Sequence, residues 1–130
     1  MRTTTRLLSL ITPVAAGSLA LASPSEIGRT EIVRHDIGTS GREAIQVRVQ
    51  FAPGAKFPRH THPGEEIAYV LEGTLEYQLG GNKSIKLKAG EAVFIPEGTP
   101  HTASNVGAGE AIELATYIVE KGKPLVVLTQ

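Results

Sequence analysis

Three of the four histidines fall in two short segments that could assemble a metal site. The first, HTHPGEE, holds His60, His62 and Glu66. In an extended strand, residues two apart point to the same side. His60 and His62 therefore present their imidazoles side by side, at a spacing one cation can bridge. Pro63-Gly64 turns the chain, and Glu66 can return a carboxylate oxygen to the same point. The second segment, GTPH, uses Gly98 and Pro100 to shape a turn that leads into His101. Three imidazoles and one carboxylate suit Fe, Mn, Co, Ni, Cu or Zn. On a six-coordinate ion they leave positions open for a ligand. By themselves, His60 and His62 read as readily as two surface or packing histidines. The chemistry depends on a fold that gathers all four residues.

The elements that must do so read as strands. Ile45, Val47, Val49 and Phe51 alternate with Gln46, Arg48 and Gln50, the period of a half-buried strand. Residues 74–79 repeat the alternation, Gly80-Gly81-Asn82 turns, and Ile85, Leu87 and Ala89 resume it as the second arm of a hairpin. Further strands are expected at 31–35, 67–71, 92–95, 99–103, 111–119 and 125–128, separated by Gly- and Pro-rich turns. The stretch AIELATYIVE could be a helix, but its Ile, Thr, Tyr and Val content favours a strand. Residues 67–71 are apolar on both faces, which predicts a central strand covered by something else, either the N-terminal strand or a second subunit. Eight or so short strands without a long helical pattern point to an all-β sandwich or barrel.

The glycines and prolines around the histidines form two patterns. Gly54, His60, His62, Glu66 and Gly73 make the first; Gly90, Pro96, Gly98, His101 and Asn105 make the second, with 16 residues between them. These spacings resemble the two signature motifs of the cupin superfamily, complete at every fixed position. The resemblance implies an all-β fold, a single small jelly-roll (cupin) β-barrel. It implies one divalent transition metal per chain (Fe, Mn, Ni, Cu or Zn) held by His60, His62, Glu66 and His101. Gly54, Gly73, Gly90, Gly98 and Asn105 match as structural positions. A buried cluster of this kind without a cation would leave costly polar groups unsatisfied. Outside both motifs, His35 reads as a surface or packing residue, and Lys83, Lys86 and Lys88 as the solvated face of a hairpin.

Fold and metal site do not by themselves select a reaction. Glu65 is expected on the face opposite Glu66. Tyr77 and Phe94 are candidates for an apolar pocket wall, or plain core. No second acid–base residue stands out, which disfavours isomerase or epimerase chemistry. The reading that follows is an exported metal-dependent enzyme of oxygenase-like type acting on a small molecule. The alternative is an exported, non-catalytic metal- or small-ligand-binding protein. Thirteen Lys+Arg balance thirteen Asp+Glu, which argues against a nucleic-acid partner. With no Cys, thiolate chemistry and disulfides are excluded. Cupin resemblance and the two-sided apolar strand together predict a homodimer.

The first 22 residues have the layout of a secretory signal: Arg2 and Arg6, an apolar run, then Ala20-Leu21-Ala22. The run falls short of the roughly 20 apolar residues needed to span a bilayer. Removing 22 of the 130 residues leaves 108 (residues 23–130) as one cupin domain. That step removes two Arg and no acid, moving the formal charge from 0 to −2. The mature protein is expected to be periplasmic or secreted, with no membrane contact. Intact-mass measurement of protein recovered from its native compartment should find a chain that begins at Ser23; one that still begins at Met1 overturns this expectation.

Overall fold

From Arg42 to Phe51 every second side chain is buried, and Glu43, Ile45, Val47, Val49 and Phe51 form the inner face of one strand. Nine further strands accompany it in the computed structural model, which describes residues 26–130. Residues 1–22, expected from the sequence to be a signal, lie outside the described residues. In chain order the strands are β1 (Ile27–Asp36), β2 (Arg42–Phe51), β3 (Lys56–Thr61), β4 (Gly64–Glu72) and β5 (Thr74–Leu79). Then come β6 (Lys83–Lys88), β7 (Ala92–Ile95), β8 (His101–Asn105), β9 (Ala111–Glu120) and β10 (Val127–Leu128). Among the described residues no helix forms. Residues 111–120 are a strand, as their β-branched content requires.

The strands make two five-stranded antiparallel sheets, ordered β1-β2-β9-β4-β7 and β10-β3-β8-β5-β6. The ladders remain separate rather than closing into one. The core contains Ile45, Val47, Val49 and Phe51 from β2, Ala68 and Val70 from β4, Leu75 and Tyr77 from β5, and Tyr117 and Val119 from β9. The chain crosses from one sheet to the other between β3 and β4, at His62 and Pro63.

Three features hold the ends of the sheets in register. Gly64 sits where β4 passes against β9; a Cβ there would lie 2.0 Å from the Ile118 carbonyl oxygen. Gly73 has φ +76°, and its Cβ would meet the Glu110 carbonyl oxygen at 2.6 Å. Asn105 donates through Nδ2 to the carbonyls of Phe51, Ala52 and Gly109 and accepts from Gly107 N–H, closing the end of β2 onto β8.

Two expectations from the sequence change here. Phe94 is not part of a pocket wall: it lies on the outer face of β7, 57% exposed. The outward face of β4 (Ile67, Tyr69 and Leu71) is uncovered by the described residues, because β1 pairs with β2 at the far edge of the same sheet. Period-two alternation defines two faces and carries no label for which one is buried.

Gly64→Ala should destabilise the fold by about 3 kcal/mol or more, because backbone rather than a flexible side chain blocks the new methyl. Gly81→Ala, which meets nothing within 4 Å, should stay within about 0.5 kcal/mol of the parent. Urea unfolding midpoints compare them; equal midpoints would mean that β4 and β9 do not approach this closely.

Candidate metal centre

Local structure brings the four residues to one point from both sheets. His60 and His101 are direct cross-strand partners on β3 and β8. His62 follows two residues after His60, where the chain leaves β3. Its carbonyl accepts from Gly98 N–H, which ties the HTH segment to the turn 96–98. Glu66 enters from β4 in the opposite sheet, in register with Tyr117 of β9. All four side chains are buried, and their ligand atoms lie within 4.8 Å of one another.

Each imidazole is oriented by a backbone carbonyl. Nδ1 of His60 lies 2.7 Å from Pro58 O, Nδ1 of His62 lies 2.6 Å from Leu125 O, and Nδ1 of His101 lies 2.8 Å from Thr99 O. A carbonyl can only accept, so Nδ1 carries the hydrogen in each ring and Nε2 is left with a lone pair. The Leu125 contact comes from the C-terminal segment, whose β10 also pairs Leu128 with His60. Sequence reading did not find this clamp, since backbone acceptors leave no mark in residue type.

The inward atoms are thus all acceptors. Glu66 Oε2 lies 3.0 Å from His62 Nε2 and 3.1 Å from His101 Nε2. His62 Nε2 is buried and has no hydrogen-bond donor. Lone pairs this close repel unless a cation lies among them. Ligands about 2.1 Å from a metal and at right angles lie about 3.0 Å apart, so these spacings fit a metal centre.

Electrostatics sorts the protons. Burial, followed by the neighbouring His101, pushes the His60 imidazole down to about 4. Burial raises the Glu66 carboxyl, and positive charge at its Oε2, whether protons on the His101 and His62 Nε2 atoms or a cation in their place, outweighs burial and holds it at about 2. Three imidazoles and one carboxylate suit a divalent ion.

The cluster opens on a cavity of about 250 Å³, mouth included, with walls that include Arg29, Phe57, Tyr77, Glu113 and Tyr117. Arg29 lies over the Phe57 ring, its Cζ 5.4 Å from the centroid. Tyr77, which the sequence left open between pocket wall and core, is in both. Glu113 corrects the expectation that no second acid–base residue is present. It projects inward from β9, between Val49 and Val70 on the flanking strands, and accepts from the Tyr77 hydroxyl. Burial, and then the Glu66 charge, push its carboxyl up to about 8. A signal existed: Glu113 interrupts the series Ala111, Ala115, Tyr117, Val119. The other face (Ile112, Leu114, Ile118) is also apolar, so the pattern alone does not orient the strand. Glu65 faces away and pairs with Arg42 at 3.0 Å. His35 is exposed, its Nδ1 2.8 Å from Asp36 O. Lys83, Lys86 and Lys88 are exposed on β6.

The family described as "Cupin domain" matches residues 47–118, more than half of the chain. Oxalate oxidase 1 of Hordeum vulgare is 33% identical over 110 residues, which is 78% of this chain and 54% of that protein. Dimethylsulfoniopropionate lyase DddQ of Ruegeria pomeroyi is 35% identical over 65 residues, 49% of this chain and 32% of that one. The chain thus spans between about a third and about half the length of these curated relatives. Among solved structures, a recombinant oxalate oxidase in complex with glycolate superposes with a TM-score of 0.67 at 32% identity, covering 82% of this chain and 57% of that one.

The His60 shift sets a pH window. The folded value is depressed, so the unfolded chain binds the proton first and stability falls as pH drops from 6.5 to about 4. The melting temperature of the metal-free protein should decline across that window, and His60→Asn should flatten the decline. An unchanged profile in the variant would assign the acid sensitivity to another group.

Proposed function

The chain belongs to the cupin family, and from that premise we propose that it is a metal-dependent enzyme of oxygenase-like type acting on a small molecule. His60, His62, Glu66 and His101 hold one divalent transition metal in this reading. The observation that carries it is three carbonyl-anchored imidazoles around one ionised carboxylate, with His60, His101 and Glu66 of the four facing onto a cavity. A purely storage or structural site needs no such space beside its ligands. The enclosed part of that space is only about 10 Å³, room for roughly one water-sized group, so a ligand there is very small or reaches in from the mouth. A bound metal would supply Lewis-acid activation of an oxygen-bearing ligand. The protein supplies the rest: Phe57 and Tyr117 limit water, Arg29 places a cation at the wall, and the three carbonyl anchors keep the imidazoles from rotating. Relatives named for oxalate oxidation and for dimethylsulfoniopropionate cleavage support small-molecule chemistry on this scaffold. The segment 1–22 supports export to the periplasm or the medium.

Elemental analysis should find one metal per chain, with most of it lost in His101→Ala. Protein loaded with Fe, Mn, Ni, Cu or Zn should then be offered small organic acids and alcohols in an oxygen electrode. Oxygen uptake that requires His101 is expected with a redox-active metal. A metal-loaded protein that binds ligands yet turns over none of them would favour the non-catalytic reading.

The homodimer belongs to the same proposal. Ile67 (44% exposed), Tyr69 (41%) and Leu71 (46%) form an apolar row on the outside of β4, and Ile67 faces Phe94 across the ladder. A second copy covers this patch, since β1 lies three strands away. Light scattering should give twice the chain mass, and Tyr69→Glu should shift it toward monomer by burying a charge. A parent protein that stays monomeric at high concentration would end the idea.

A further inference from the structure

The cavity holds a second carboxyl that the metal cluster does not use. Glu113 is 5% exposed, lines the same space as His60, Glu66 and His101, and belongs to neither cluster motif. Its flanking neighbours on the inner face of the sheet are Val49 and Val70, which offer no hydrogen bond. Its Oε2 is engaged by the Tyr77 hydroxyl from the opposite sheet. A structural acid in a core is normally paired with a cation or several donors. Arg29, in the cavity wall, acts on Glu113 through its charge and makes no bond to it. This carboxyl is built into the wall of the space beside the cluster, and the Tyr77 hydroxyl is its one hydrogen-bond partner there among the described residues.

We propose that Glu113 is the proton-exchanging residue of this pocket, giving its proton to an oxygen of a ligand bound beside the metal cluster, with the Tyr77 hydroxyl stabilising the carboxylate left behind. The Glu113 O–H bond breaks and an O–H bond forms on the ligand; no electrons are exchanged, and solvent returns the proton when the ligand leaves. The inference rests on the metal-site reading above and adds to it an acid distinct from the ligand carboxylate.

The groups facing Glu113 are consistent with this role. Glu66 on β4 repels its charged form, and Arg29 on β1 favours it. Tyr77 on β5 and Tyr117 on β9 are themselves raised by burial and stay neutral. His60 on β3 is neutral above about 4. His101 on β8 carries its hydrogen on Nδ1. At neutral pH, Glu113 therefore keeps its proton while Glu66 has lost its own. Adjacent carboxyls held in opposite states are the arrangement that acid–base chemistry requires.

Formate serves as the probe, with Zn(II)-loaded protein so that redox chemistry is absent. Calorimetric titration from pH 6 to 10 should show formate affinity falling about tenfold per pH unit above a break at or below the metal-free Glu113 value of about 8, because zinc offsets the Glu66 charge and ionised Glu113 repels the anion. Glu113→Gln should keep its zinc and lose that break. Tyr77→Phe should move the break to higher pH, since the hydroxyl that favours the carboxylate is gone. The same break in Glu113→Gln would overturn the proposal, and so would loss of zinc from that variant, which would make Glu113 part of the metal cage. Infrared difference spectra of the metal-free protein provide an independent arm. A carboxylic-acid C=O stretch should vanish from the parent across the same pH range, and Tyr77→Phe should displace its midpoint. A parent protein that binds no zinc removes the metal reading, and the infrared result still decides whether Glu113 holds a proton. An absent band overturns the proposal.

Discussion

Four acceptor atoms held together in a buried place are the constraint on which the rest of this structure depends. Imidazole lone pairs at 3.0 and 3.1 Å from one carboxylate oxygen repel in the absence of a cation. A chain free to relax would rotate the rings or expose them to water. Here each ring is held at Nδ1 by a carbonyl of the main chain. The repulsion is thereby carried by the backbone and stays directed at one point, which is the preorganisation a metal centre needs.

The sheets explain how the backbone bears that load. His60 and His101 are ladder partners, so their separation is that of two paired strands. Glu66 must come from the other sheet, and the short crossing at His62 and Pro63 delivers it. Gly64 follows at once because β4 has to press against the Ile118 carbonyl to reach that position. The C-terminal segment closes the arrangement through Leu125 O, which places an acceptor 63 residues away in sequence against the His62 ring.

The two acids of the cavity show how strongly placement governs chemistry. Glu66 and Glu113 are both buried glutamates on one sheet, yet one is held at about 2 and the other is pushed to about 8. Imidazoles surround the first; valines and a single hydroxyl surround the second. The ionised state of Glu66 itself helps keep Glu113 protonated. A metal bound by the first would weaken that influence, so occupancy and the proton affinity of Glu113 are linked.

What the sequence by itself determined is local. Period-two alternation placed a strand at 74–79 and turn residues bounded another at 92–95, both at the bounds observed, and the Gly, Pro and His spacings marked all four members of the cluster. Those signals are readable because side-chain alternation and turn chemistry act between near neighbours. Tertiary structure alone decided which side of a two-sided apolar strand is buried. It turned Glu113 inward on β9, left Phe94 and Tyr69 outside, and set β1 too far away to cover them. It also supplied the carbonyl of Leu125, an atom every residue possesses. The physical reason is the same in each case: burial and backbone hydrogen bonding depend on which distant segment arrives, and residue type along one strand carries no record of that.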